Sequence, residues 1–201
     1  MGITRSVVHA LEALGRPAPS EAVLRHSIGP PLRETLADML ETTDAALVER
    51  AVTLYRERYS TIGLFENAVY PGVPDALARL RAAGHRQWVV TSKPHVFARR
   101  ILEHFDLLRF FEGVYGWELD GAFPDKPDLI AHALATEGLA AADTWMIGDR
   151  LHDVRAARRN GLTAVGVLWG YGNEDELREA GPAHVVRTLD ELRAWIAAVS
   201  G

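Results

Sequence analysis

Two aspartates four residues apart follow the apolar run Thr144-Trp145-Met146-Ile147, in the segment Met146-Ile147-Gly148-Asp149-Arg150-Leu151-His152-Asp153. An apolar run that stops at Gly-Asp, with a helical stretch from Val154 to Asn160 behind it, reads as a buried strand presenting two carboxylates at its carboxyl end. Carboxylates there suit a hard cation such as Mg²⁺, which keeps several waters and takes one or two protein carboxylates plus phosphate oxygens. That edge of an open α/β sheet is also where ligands bind. The plainer reading is that Asp149 and Asp153 only cap the helix. Val89-Val90-Thr91-Ser92-Lys93-Pro94 is a second apolar strand, ending in hydroxyls before a helix. A hydroxyl and the free N–H groups of a helix start can hold a phosphate, or the hydroxyl can be no more than a cap. Asp125-Lys126-Pro127 opens a third helix. A lysine there can neutralise phosphate as a compact point charge; standing alone it is as readily a solvated surface group.

These residues need a scaffold, and the chain divides into two patterns. Residues 3–68 read as all-helical: Ile3, Val7, Val8, Ala10, Leu11 and Leu14 recur at helical spacing, and Gly15-Arg16-Pro17 ends the run. Further helices are expected from Ser20-Glu21, around Leu32–Leu40, and from Ala46 to about Tyr59. From Val69-Tyr70-Pro71-Gly72 onward helices and short strands alternate. Helices are expected at 73–83, 95–104, 126–137, 154–160, 174–180 and 189–198. Strands are expected at 87–91, 113–117, 144–147, 163–168 and 184–186. Such alternation predicts an α/β fold, a Rossmann-like parallel sheet covered by helices on both faces. The division predicts an α-helical unit at 1–68 and an α/β core at 69–201.

Composition narrows the function classes. The chain has 201 residues, 48% hydrophobic, with a formal net charge of -5 and both signs interspersed. No basic face marks a nucleic-acid partner; Arg99, Arg100, Arg155, Arg158 and Arg159 read as solvated helix faces. There is no cysteine, which excludes disulfides, thiolate metal sites and a cysteine nucleophile. No apolar run approaches the ~20 residues that span a bilayer, and Met1-Gly2-Ile3-Thr4-Arg5 is no signal peptide. The expectation is a cytoplasmic protein, a monomer or homodimer, with no membrane partner. A dinucleotide-binding or P-loop reading finds no G-x-G-x-x-G or G-x-x-x-x-G-K-[ST] motif, and the helical start speaks against a receiver domain.

An apolar strand ending in Thr91-Ser92, then Lys126 at a helix start, then strand-Gly148-Asp149 and Asp153, is the ordered pattern of the haloacid dehalogenase superfamily of phosphatases. The chain resembles that family from residue 2 to residue 200, and its phosphoglycolate-phosphatase-like members most. Gly2-Ile3-Thr4-Arg5-Ser6-Val7 resembles the opening of their helical cap and Ile28-Gly29-Pro30-Pro31-Leu32 its substrate-facing loop. Gly166-Val167-Leu168-Trp169-Gly170-Tyr171-Gly172 resembles the loop after the fifth core strand. The resemblance implies roles: Thr91 on the transferring phosphoryl oxygen, Lys126 bridging phosphate and nucleophile, Asp149 on Mg²⁺, Asp153 orienting the metal shell, and Ser92 and Lys93 beside the phosphate. His26, Ile28 and Gly29 are the expected substrate contacts, and the substrate a small phosphorylated metabolite such as phosphoglycolate. Among Arg25, Arg33, Arg50, Arg56 and Arg58, most read as solvated. The tryptophans at 88, 117, 145 and 169 read as core, with Trp169 and Tyr171 placed to reach a ligand.

The family's first motif, Asp-x-Asp-Gly-Thr, supplies the nucleophile of an aspartyl-phosphate and the acid/base. No Asp-x-Asp occurs in this sequence, and by the resemblance it would stand before Gly2. Asp120-Gly121 reads as a turn, not a substitute. Two expectations follow. The first core strand is absent from these residues, leaving strand edges unpaired, and an active protein carries upstream residues. The competing expectation is a non-catalytic member that kept the fold to bind a phosphorylated metabolite or a protein partner.

Overall fold

The computed structural model describes residues 1–26, 28, 30–118 and 125–199, with only the backbone of His26. Two compact units result, Met1–Val69 and Tyr70–Gly201.

The first unit is helical: α1 Gly2–Ala13, α2 Glu21–His26, α3 Leu32–Leu40 and α4 Ala45–Tyr59, followed by a 3₁₀ turn at Gly63–Phe65. Val7, Ala10 and Leu11 recur every three to four residues, so α1 buries one stripe. That stripe packs on α4, which buries Val48, Ala51, Val52, Tyr55 and Tyr59. Tyr55 and Tyr59 stack with centroids 5.1 Å apart. Asp44 caps α4 by accepting from Ala46 N at 2.9 Å. At the other end Arg58 makes a two-pronged ion pair with Glu66 (2.7 and 2.9 Å), which Arg5 also reaches at 2.8 Å. These cations hold the Glu66 carboxyl down to about 2.

The second unit runs α5 Val73–Ala82, β1 Trp88–Pro94, α6 His95–His104, β2 Gly113–Trp117, α7 Lys126–Glu137, β3 Trp145–Gly148, α8 Leu151–Arg159, β4 Thr163–Val167, α9 Glu174–Ala180, β5 His184–Val186 and α10 Leu189–Val199. All strand pairings are parallel, as βαβ connections require. The sheet comes in two pieces, β1-β2 and β3-β4-β5. The register sets Thr91 beside Gly116 and Gly148 beside Gly166. Ile130, Val154, Ala157, Leu162, Ala164 and Leu177 form one core cluster, against which Val90 of β1 and Met146 of β3 both pack. A second cluster joins Val165, Val167, Val186, Leu192 and Ile196.

Three details depart from the sequence reading. The strand β3, expected to be buried, leaves Ile147 38% exposed, because among the described residues β3 is paired on one edge only. β1 extends past Thr91 through Ser92 and Lys93, with a register break before Pro94. α8 begins three residues earlier than expected, so Asp153 sits inside its first turn rather than ahead of it. The reason is that the first donors of α8 are bonded to carboxylates, as described next.

Candidate active site

Asp149 and Asp153 occupy the bend between β3 and α8. Asp153 is 6% exposed, and a buried carboxylate needs partners for both oxygens. Its Oδ2 accepts from the N–H of Arg150 at 3.0 Å; its Oδ1 accepts from Lys126 Nζ in a close ion pair. Lys126 comes from the first turn of α7, where Asp125 caps the helix by accepting from Asp128 N at 3.0 Å. The residue preceding the bend must be glycine: a Cβ on Gly148 would lie 2.3 Å from Asp153 Cβ and 2.6 Å from its Oδ2.

Asp149 is gripped from the other side. Its Oδ2 accepts from Tyr171 N at 2.8 Å. A Cβ on Gly170 would meet that oxygen at 2.2 Å, and one on Gly172 would meet the Asp149 carbonyl oxygen at 1.9 Å. The Trp169-Gly170-Tyr171-Gly172 loop therefore lies directly on the Asp149 loop, and only glycine permits that approach. Asp149 Oδ1 keeps no partner among the described residues. One free carboxylate oxygen in a half-buried bend suits a cation that retains water and shares phosphate oxygens. Among the described residues no group of three or more His, Cys, Asp or Glu side chains is arranged to hold a metal unaided.

Glu176, on the first turn of α9, completes the bend. Its Oε1 accepts from Leu151 N at 2.9 Å and from Arg150 Nε at 2.7 Å. Burial pushes its carboxyl up, but these bonds together outweigh burial and hold it below the usual carboxylate range. Tyr70, whose own hydroxyl is raised by burial and by Tyr171 and Asp149, places a second aromatic group near Asp149.

The remaining site residues fall in other places. Thr91, Ser92 and Lys93 are half-buried at the carboxyl end of β1. Thr91 Oγ1 accepts from Lys93 N at 3.2 Å; it makes no direct bond to the acidic bend among the described residues. The link between the groups is α7, which packs on β1 and on α8. His26 ends α2, its side chain lying outside the described residues with Gly29 and the Asp120-Gly121 turn; Ile28 is half-buried. Of the first unit's arginines, Arg25, Arg33 and Arg58 are paired with Glu21, Glu49 and Glu66. Arg158 is not a purely solvated group, since Nη1 donates to Ala180 O at 3.0 Å. Glu176 and Arg150 were not singled out from the sequence. The only available signal was the acidic residue three places after Asn173, and that marks a helix start and nothing more.

Residues 2–167 match the family of haloacid dehalogenase-like hydrolases. A Pseudomonas aeruginosa protein named 5'-nucleotidase is 48% identical over 96% of this chain and 86% of its own length. A Mycobacterium tuberculosis protein named tyrosine-protein kinase PtkA is 41% identical over 96% of this chain, which spans 66% of that protein. The crystal structure of a predicted phosphatase from Clostridium acetobutylicum superposes with a TM-score of 0.90 at 36% identity, covering 98% of this chain and 91% of its own.

Proposed function

The chain belongs to the haloacid dehalogenase-like hydrolases, and on that premise we propose that it is a Mg²⁺-dependent phosphomonoesterase acting on a small phosphorylated metabolite. The observation that carries the reading is the buried Lys126–Asp153 pair on the same bend as Asp149, whose Oδ1 has no partner among the described residues. It is a fixed cation next to a fixed anion, in a bend held open by three glycines. Phosphoryl transfer asks little covalent chemistry of a protein and much positioning of charge. Lys126 balances phosphate charge while Asp153 fixes its ammonium group. Thr91, Ser92 and Lys93 hold phosphoryl oxygens at the end of β1. Asp149 binds Mg²⁺, whose contribution when bound is to neutralise charge on those oxygens. By the family resemblance the nucleophile would be an aspartate of an Asp-x-Asp motif, which these 201 residues do not contain, and it would form an aspartyl-phosphate. By the same resemblance, residues 1–68 are the helical cap that selects the leaving group, and His26, Ile28 and Gly29 are the candidate substrate contacts. The protein works in the cytoplasm as a monomer or homodimer.

Phosphoglycolate is one substrate candidate, and the name of the Pseudomonas relative adds nucleoside 5'-monophosphates. The test compares this chain with a form extended upstream through its reading frame, on p-nitrophenyl phosphate, 2-phosphoglycolate and nucleoside 5'-monophosphates, with and without Mg²⁺. Turnover by the extended form alone, abolished by chelation, is expected. No turnover by either form on any ester would overturn the reading. A second reading rests on the lack of any Asp-x-Asp in the sequence: a non-catalytic member that binds a phosphate ester or partner without hydrolysis. Saturable binding without turnover would establish it.

A further inference from the structure

Building on the assignment of Asp149 to the cation, we propose that Glu176 is a positioning residue that sets how tightly the acidic bend holds a divalent cation. Two consecutive amides leave the bend after Asp149. The first, Arg150 N–H, is bonded by Asp153 at 3.0 Å; the second, Leu151 N–H, is bonded by Glu176 at 2.9 Å. The two carboxylates come from different helices, α8 and α9. The peptide planes following Asp149 are thereby fixed from two directions, and the Asp149 backbone cannot rotate without breaking one bond. The carbonyl of Asp149 is fixed from a third direction by the close approach of Gly172.

Glu176 has a second effect through charge. Arg150 neighbours Asp149 in sequence, and its guanidinium is a tethered cation able to compete for the free oxygen of Asp149. Glu176 binds Arg150 Nε at 2.7 Å, in a pair whose side chains are 25% and 16% exposed. Paired in this way, Arg150 is held on α9 and away from the carboxylate that the metal needs. The pair is nearly neutral, so it does not itself draw the cation. Outer partners that orient a metal-binding carboxylate typically change metal affinity 10- to 100-fold when removed.

The experiment measures Mn²⁺ affinity by water-proton relaxation in the start-extended protein, alongside its circular dichroism. Glu176→Ala is expected to bind Mn²⁺ roughly 10- to 100-fold more weakly. Glu176→Gln keeps an acceptor for Leu151 N–H and is expected to recover most of that loss. Removing Arg150 as well, in the double variant E176A/R150A, is expected to bind better than E176A alone, because the competing cation has gone. Glu112→Ala breaks a comparable pair with Arg86 at 2.8 Å, far along the chain from the bend, and is expected to leave Mn²⁺ binding unchanged. A folded E176A that binds Mn²⁺ as the parent does overturns the proposal. If E176A does not fold, Glu176→Asp decides: it keeps the charge but shortens the reach, so the same weakening is expected and parental affinity overturns the idea. A parent that neither binds Mn²⁺ nor hydrolyses phosphate esters removes the phosphatase reading too, whereas an active parent with an unaffected E176A removes this inference alone.

Discussion

Replacing Gly170 by alanine tests the site at its tightest point. The backbone at Gly170 is not in the left-handed region, so alanine costs nothing there in conformation and its effect is purely steric. The new Cβ would stand 2.2 Å from Asp149 Oδ2, 2.3 Å from its Cβ and 2.5 Å from its Cγ. Ordinary contact begins near 3.4 Å, so the Asp149 side chain or the Trp169–Gly172 loop must retreat by roughly 1 Å, a displacement that can cost about 10²-fold in rate at a catalytic group. Either retreat also breaks the Tyr171 N–H bond to Asp149. The expected result is a fall of about 10²-fold in kcat/KM, or roughly 2.7 kcal/mol of transition-state stabilisation, with weakened Mn²⁺ binding. Stability should fall by only about 1–3 kcal/mol, the usual cost of overpacking. The assay is Mg²⁺-dependent hydrolysis of p-nitrophenyl phosphate by the start-extended protein, with urea unfolding beside it. Gly138→Ala is the control. Gly138 ends α7 at φ +63 with nothing within 4 Å of a Cβ, so alanine there should cost about 1 kcal/mol of stability and leave kcat/KM alone. A G170A protein that keeps kcat/KM within twofold refutes the claim that this loop shapes the Asp149 carboxylate.

Lys126→Met leaves Asp153 buried without its cation, and breaking such a pair costs about 3–5 kcal/mol; urea denaturation should show it, and the variant D153N/K126M should regain part of the loss. Glu66→Gln should lower stability by roughly 1–3 kcal/mol at neutral pH, between the limits for surface and buried pairs. The folded carboxyl sits at about 2, below the ~4.3 of an unfolded glutamate. The parent's advantage over E66Q is therefore complete above pH ~4.3 and fades as the pH falls from there towards 2; an advantage that grows on acidification would contradict the sign. Tyr115 donates to Glu137 at 2.5 Å, and burial with that carboxylate pushes its phenol up to about 12. The absorbance difference at 295 nm between the parent and Tyr115→Phe should accordingly be centred near pH 12, and a centre near 10 would disprove the buried bond.

Much of the fold was legible because periodicity is local. His95–His104, Gly113–Trp117, Lys126–Glu137, Glu174–Ala180 and His184–Val186 run as their apolar spacing and turn residues indicate. The 3₁₀ turns at Gly63–Phe65, Leu108–Phe110 and Ala141–Asp143 carry no such period and went unread. Within the site, Asp149, Asp153 and Lys126 showed in the sequence as residues at strand ends and helix starts. What they touch did not. Lys126 reaches across 27 positions to Asp153, and Glu176 across 25 to Leu151. The glycines at 170 and 172 look like any loop glycines until the neighbouring backbone is seen to occupy their missing side chains. Even the start of α8 was misplaced, since the carboxylates that satisfy its first donors belong partly to α9.

The divided sheet bears on how the core holds together. Each piece is made from near neighbours in the chain, β1-α6-β2 on one side and β3 through β5 with α8 and α9 on the other. Among the described residues no backbone ladder joins the two pieces, and α7 bridges them by packing on β1, on β2 and on α8. Leu129, Ile130 and Ala133 of α7 are buried, and Asn160 at the end of α8 donates to Pro127 O at 2.9 Å. Among the described residues, coupling between the halves thus runs in good part through one twelve-residue helix, joined by α5 against α10 and by Val90 of β1 against the cluster around Ile130. The helix whose first turn carries Lys126 is also a brace between the two halves.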